Sequence, residues 1–316
     1  MKLHLDRDAF EALVADIGNR TGYREDVLEK DYYVSLLLLE LAEMQKETPA
    51  YFKGGTALYK ALKTIRRFSE DIDLTVATDD CSNSQAKRRL ERASSGYKSL
   101  SRTNDKSLES NNKGSIVCVY DYDSVCAFDV NDALQRFGHV KVEATSFTVS
   151  EPYEAITVEP AVFTQSTDEQ RAILTESYDV HPFEINTIKT ERIFADKILA
   201  AEFYYQRESY FEVAKHLYDI AVLMDIDKIK SLVRDSAGFQ HMISYKRREE
   251  AGRIGSNLSD MPFSEFSIFT TFQSNTSLKE KFASMQNIYV FNESDKLDFR
   301  NVCEKVMELR DILILL

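Results

Sequence analysis

The sequence predicts an α+β protein, with a mixed β-sheet core, flanking helices and a helical C-terminal region. Three observations carry this prediction. Helical apolar spacing fills the first 44 residues, short segments rich in β-branched residues recur between residues 51 and 158, and beyond Pro182 only helical spacing remains.

Each element follows from local pattern. Phe10, Leu13, Val14 and Ile17 share one helical face over residues 6–17, and the Gly18 to Gly22 stretch breaks that pattern before a longer helix over about residues 24–44. Tyr51-Phe52-Lys53 reads as a short strand and Gly54-Gly55 as a turn. Residues 56–64 read as a helix with Leu58, Ala61, Leu62 and Ile65 on one side, and Asp71 to Val76 as the next strand. Residues 82–113 are polar and basic, with eight Lys or Arg against three Asp or Glu. Branched segments at 116–120, 140–144 and 156–158 supply further strands. Helices are predicted over about 190–206 and 210–224 and onward to the C-terminus, with a weaker pattern over 252–277. No internal repeat or low-complexity linker interrupts the chain.

Composition excludes several classes. With 316 residues, 43% of them hydrophobic, the chain can bury a full core, so disorder is not expected. Forty basic against 52 acidic side chains give a net charge of −12, which is not that of a polycation built to coat nucleic acid. The four cysteines form no CxxC pair and fit a reducing compartment. The N-terminus lacks the apolar run of a signal peptide. The apolar stretch Val34 to Leu39 is far shorter than the roughly 20 residues of a membrane span, so a soluble cytoplasmic protein without a membrane partner is expected.

The chemistry is concentrated between Gly54 and Leu74. Asp71 and Asp73 are two apart on a predicted strand, so their carboxylates project from one face while Ile72 and Leu74 point inward. Two convergent carboxylates suit Mg²⁺, or Mn²⁺ in its place, because such ions take hard oxygen ligands and keep positions open for substrate phosphates. Metals held in this way position and neutralise a transferring phosphoryl group. Glu143, beside Lys141 on the exposed face of a later strand, is the candidate third metal ligand. Gly54, Gly55 and Thr56 let a nucleoside triphosphate approach the backbone at a helix start, and Ser69 adds a hydroxyl.

Several blocks resemble the nucleotidyltransferase-like toxins of abortive-infection and toxin–antitoxin systems, the AbiEii/AbiGii group that includes the mycobacterial MenT toxins. Glu29-Lys30-Asp31-Tyr32-Tyr33-Val34 is similar to that family's EKDYWV, and Phe52-Lys53-Gly54-Gly55-Thr56-Ala57-Leu58 to its FKGGTxL. Arg67-Phe68-Ser69-Glu70-Asp71-Ile72-Asp73-Leu74 resembles its RxSxDxDL, and Lys141-Val142-Glu143 its KxE. Ala195-Asp196-Lys197 and Lys215-His216-Leu217-Tyr218-Asp219-Ile220 resemble its ADK and RDLYDL blocks, so the likeness spans roughly residues 24–224.

The resemblance implies a nucleotidyltransferase-like core over residues 1–185 and a helical domain over 186–316 that completes the active site. It implies that Lys197 contacts the triphosphate and that Asp219 supports the site. It further implies a phage-defence toxin with a separately encoded antitoxin, transferring a nucleotide from a nucleoside triphosphate to an RNA acceptor, foremost a tRNA 3′ end. In the last block Lys215 and His216 stand where the family has Arg and Asp. Two readings stand for the basic stretch 87–113 and for Lys246-Arg247-Arg248: a grip on an RNA backbone, or solvated helix faces. Tyr204 and Tyr205 either stack on a base or pack internally. The competing functions are a nucleotidyltransferase or kinase acting on protein, and a toxin that binds nucleotide or RNA without turnover.

Overall fold

Phe10, Val14 and Ile17 recur at helical spacing, and all three are buried on α1 (Arg7–Thr21) in the computed structural model, which describes residues 1–128, 137–146, 151–253 and 255–316. Asp6 caps this helix by accepting from the Ala9 N–H at 3.2 Å, and Gly22 ends it at φ 76°. α2 (Glu25–Met44) is buried around most of its circumference, which explains Val34 to Leu39 as a core helix. No described helix is long and apolar enough to cross a membrane.

The strands are β1 (Ala50–Lys53), β2 (Ile72–Val76), β3 (Ser101–Arg102), β4 (Ser110–Asn112), β5 (Ser115–Asp121), β6 (His139–Thr145), β7 (Tyr153–Val158) and β8 (Phe183–Ile188). They form one mixed sheet in the order β3-β5-β6-β2-β1-β8-β7, with β4 paired to β5. β1 runs antiparallel to β2, β2 parallel to β6, β6 antiparallel to β5, and β1 parallel to β8. The Gln45 side chain bonds the Ala50 carbonyl at 2.8 Å and both backbone groups of Asn186, which fastens β8 alongside β1. α3 (Asn83–Ser95) and α4 (Asp168–Tyr178) each begin at a capping box, Ser82 with Gln85 and Thr167 with Gln170.

The remaining principal helices are α5 (Thr190–Tyr205), α6 (Tyr210–Leu223), α7 (Asp227–Arg234), α8 (Ser236–Glu250), α9 (Thr276–Tyr289) and α10 (Phe299–Ile314). The chain divides into two compact units. The first is Met1–Ala61, Glu70–Ser146 and Tyr153–Thr187, and holds the sheet with α1 to α4; the second is Leu62–Ser69, Phe147–Pro152 and Ile188–Leu316. In the second unit α6 packs against α5, α9 and α10, and α8 packs against α5 and α7. Arg192 and Lys246 clamp α5 to α8: Arg192 bonds Glu249 and Asp196 at 2.5 Å each, and Lys246 reaches Glu250 at 3.0 Å.

Three local features depart from the sequence expectation. The segment expected as a helix over 56–64 is one α turn, Gly54–Thr56, continued by a π turn, Ala57–Ala61. Its Lys60 ammonium is buried, held by Asp31 at 2.7 Å and by the Glu159 carbonyl at 3.2 Å, and soon afterwards Lys63 adopts φ 52°, which ends helical winding. β8 lies beyond Pro182, where only helices were expected, and alternates with Phe183, Ile185 and Thr187 buried. β3 and β4 are fully exposed, so they carry no apolar alternation to read.

Glu29, Lys30 and Asp31 are all buried on α2. Glu29 accepts from the Ser124 hydroxyl and from the Val125 N–H at 2.6 Å, Lys30 donates to the His139 carbonyl, and Asp31 accepts from Lys60 and from the Ala161 N–H at 2.6 Å. The triplet therefore ties four segments of the first unit to one helix. Removing one partner of a buried pair leaves the other charge uncompensated, at a cost of about 3–5 kcal/mol. Asp31→Ala is expected to lose that much in urea unfolding; a loss below about 1 kcal/mol, the level of exposed pairs, would contradict the clamp.

Candidate active site

Strand alternation and register build the site in the first unit. Ile72 pairs with Val142 and Leu74 with Ala144, all four buried, so Asp73 and Glu143, paired with each other in the same parallel ladder, lie on the opposite face. Lys53, the last residue of β1, is the antiparallel partner of Asp73. The first described residue of β2 is Ile72, so Asp71 lies one position before the strand instead of within it, half-buried, with Lys141 Nζ 3.9 Å from its Oδ2. Glu143 accepts from the Ser115 hydroxyl at 3.3 Å.

Gly54 is the tightest point. Its φ is 78°, and a Cβ built there would lie 2.0 Å from Asp73 Oδ2. No side chain fits, because the carboxylate occupies the space directly over the glycine backbone. Gly55 and Thr56 follow, buried in the three-residue α turn. That turn runs into π winding, so the helix-dipole contribution expected for residues 56–64 is confined to a single turn.

The oxygen donors suit a hard divalent cation. Asp71 and Asp73 present carboxylates from either side of Ile72, Glu143 stands beside Asp73 in the ladder, and all three are half-buried. Among the described residues no three His, Cys, Asp or Glu side chains close into a metal-holding group. One or two carboxylates completed by substrate phosphates and water is the usual arrangement for Mg²⁺, whereas an all-protein cage is not.

The second unit contains Ser69, Lys197 and Asp219. Asp219 is fully buried on α6 and accepts from Arg67 through both oxygens, at 2.7 Å each, and from Lys197 Nζ at 2.9 Å. Burial alone would raise its pKa, but the Arg67 and Lys197 charges outweigh that and hold the carboxyl down at about 2. Arg67 is itself held in place, since the Phe68 N–H donates to the Tyr289 carbonyl at 2.7 Å. Arg67 stands in the RxSxDxDL block, and sequence reasoning gave it no role. Its sequence signal is being the second of two consecutive arginines, followed by Phe68, just ahead of the acidic pair.

The two departures from the family block are also explained by packing. Lys215 pairs with Glu212 at 2.9 Å, and its ammonium sits over the Phe211 and Tyr289 rings. His216 stacks on Tyr204 with centroids 5.5 Å apart, and neither ring nitrogen has a hydrogen-bond partner among the described residues. Burial, reinforced by the Lys197 charge, holds that imidazole neutral. Tyr204 and Tyr205 are packing residues, Tyr205 bonding Thr271 and Asn275 at 3.0 Å.

Of the two basic stretches, Lys246-Arg247-Arg248 is not a phosphate grip. Lys246 is buried among Asp196, Glu249 and Glu250, Arg247 donates to the Leu258 and Met261 carbonyls, and Arg248 lies over Tyr245. In the 87–113 stretch Arg89, Arg92 and Arg102 pair with Asp80, Glu47 and Glu109. Lys98 and Lys113 remain exposed.

Asp219 supplies a stability test with a definite sign. Its folded pKa of about 2 lies below the unfolded value of about 3.9, so its contribution is complete above roughly pH 4 and is lost as pH falls through 2. Asp219→Asn is expected to destabilise by about 3–5 kcal/mol near neutrality. Urea unfolding of both proteins across the acid range should show that deficit shrinking between about pH 4 and pH 2. A deficit independent of pH would contradict the role of the charge.

The geometry described above can be compared with known proteins. No curated protein matches the chain. Among solved structures, MenT4, a nucleotidyltransferase toxin from Mycobacterium tuberculosis, is 14% identical, with 96% of this chain and 98% of that one covered at a TM-score of 0.49. The family model described as nucleotidyl transferase AbiEii toxin, type IV toxin–antitoxin system, matches residues 36–305 of the 316. The chain therefore belongs to the AbiEii family of nucleotidyltransferase toxins.

Proposed function

We propose that this protein transfers a nucleotidyl group from a nucleoside triphosphate to RNA, with a tRNA 3′ end as acceptor, and that Mg²⁺, or Mn²⁺ in its place, is required. The observation that carries the reading is the Asp73 carboxylate lying over the Gly54 backbone, with Glu143 beside it and Asp71 two residues upstream. Asp71, Asp73 and Glu143 would hold the metal, which when bound neutralises charge on the triphosphate. Gly54, Gly55, Thr56 and Ser69 would seat the triphosphate. Lys197, fixed by Asp219, would contact the triphosphate. In the reaction the acceptor hydroxyl oxygen bonds to the α-phosphorus, the α–β phosphoanhydride bond breaks, pyrophosphate leaves, and the hydroxyl proton passes to solvent. As a type IV toxin it would be held in check by an antitoxin.

Incubating the purified protein with total RNA and each α-labelled nucleoside triphosphate tests the reading. Label is expected in the tRNA fraction with Mg²⁺ and not with chelator. Asp71→Ala should reduce labelling about a thousandfold, corresponding to roughly 4 kcal/mol of lost transition-state stabilisation. Full labelling by that variant would overturn the assignment. Label appearing in protein, or toxicity surviving without turnover, would overturn the acceptor or the chemistry respectively.

A further inference from the structure

Lys53 is a half-buried cation on a face otherwise rich in carboxylate, yet its ammonium forms no hydrogen bond or ion pair with any described residue. Its position makes this unexpected. It is directly opposite Asp73 in the β1–β2 ladder, where cross-strand Cβ atoms lie about 4.5–5.5 Å apart and opposite charges normally meet. The Asp73 carboxylate is turned onto Gly54, the residue after Lys53, where it closes to 2.0 Å from the place of a Cβ. The other cation on this face, Lys141, stands 3.9 Å from Asp71. Lys53 is thus left on the face of the sheet that carries Asp73, next to the glycine turn, with no anion among the described residues paired to its ammonium.

We propose that Lys53 binds the β- and γ-phosphates of the incoming nucleoside triphosphate. The inference rests on the nucleotidyltransferase reading above and adds a residue to it. Separating the ammonium from its cross-strand carboxylate gives two tasks on adjacent strands: Asp73 turns toward metal and backbone, and Lys53 presents a point charge, the form in which lysine recognises phosphate. The role is one of positioning and phosphate recognition, so it reads out in the number of phosphates on the ligand.

The test is calorimetric titration of wild type, Lys53→Met and Lys53→Arg with ATP, GTP, CTP and UTP and with their monophosphates, in Mg²⁺. Thermal unfolding of each variant establishes its fold. Lys53→Met is expected to weaken the triphosphate about tenfold while changing monophosphate affinity by less than about twofold, and Lys53→Arg to retain most of the triphosphate affinity. Unchanged triphosphate affinity in folded Lys53→Met, or equal loss for triphosphate and monophosphate, overturns the role of Lys53 and leaves the broader reading intact. A wild type that binds no triphosphate overturns both.

Discussion

The Asp73 carboxylate and the Gly54 backbone share a space too small for any side chain, and much of the first unit serves that contact. It requires a residue without Cβ at φ 78°, and it requires β1 and β2 in the register that sets Lys53 against Asp73. The ladder to β6 then fixes Glu143 beside the same aspartate. Shifting β2 by one residue would put Ile72 and Leu74 on the polar face and the aspartates in the core, so burial of the apolar pair enforces the position of the acidic one.

Charged motif residues divide into two physical classes. Glu29, Lys30, Asp31, Arg67 and Asp219 are almost completely buried and spend their charge on one another or on backbone groups. Asp71, Asp73, Lys141, Glu143 and Lys53 are only half-buried on a sheet face. Buried charges of the first class are expensive unless paired, so they specify where segments meet. The second class keeps access to solvent. Lys197 belongs structurally to the first class, since its ammonium is nearly buried against Asp219.

The sequence made the sheet–helix organisation legible where burial imposed a period, as in α1, α2, β5 and β6, whose apolar residues alternate or recur as their faces require. It was silent where no face is buried, which is why β3 and β4 passed as a polar stretch. β8 was hidden by a different cause, its short alternation being adjacent to helical pattern on the far side. Of the residues that spacing singled out, the fold brings Asp73 over Gly54 and leaves Asp71 one position before the strand. What could not be read was which charges are paired: Lys246 is buried among three carboxylates, Arg67 is committed to Asp219, and Lys53 is left unpaired although it faces an acid. A pairing such as that of Arg67 with Asp219 is decided by long-range packing, and single-sequence spacing carries no trace of it.

The central claim is that the close approach of Asp73 to Gly54 forms the nucleotide site. Gly54→Ala adds only a methyl group, but at a position where φ is 78° and the new carbon would meet Asp73 Oδ2 at 2.0 Å. The direct measurement is nucleotide labelling of RNA by Gly54→Ala beside its unfolding curve. A folded variant, destabilised by about 1–3 kcal/mol of backbone strain and without labelling activity, is the predicted result. A folded Gly54→Ala protein that labels RNA at the wild-type rate would contradict it.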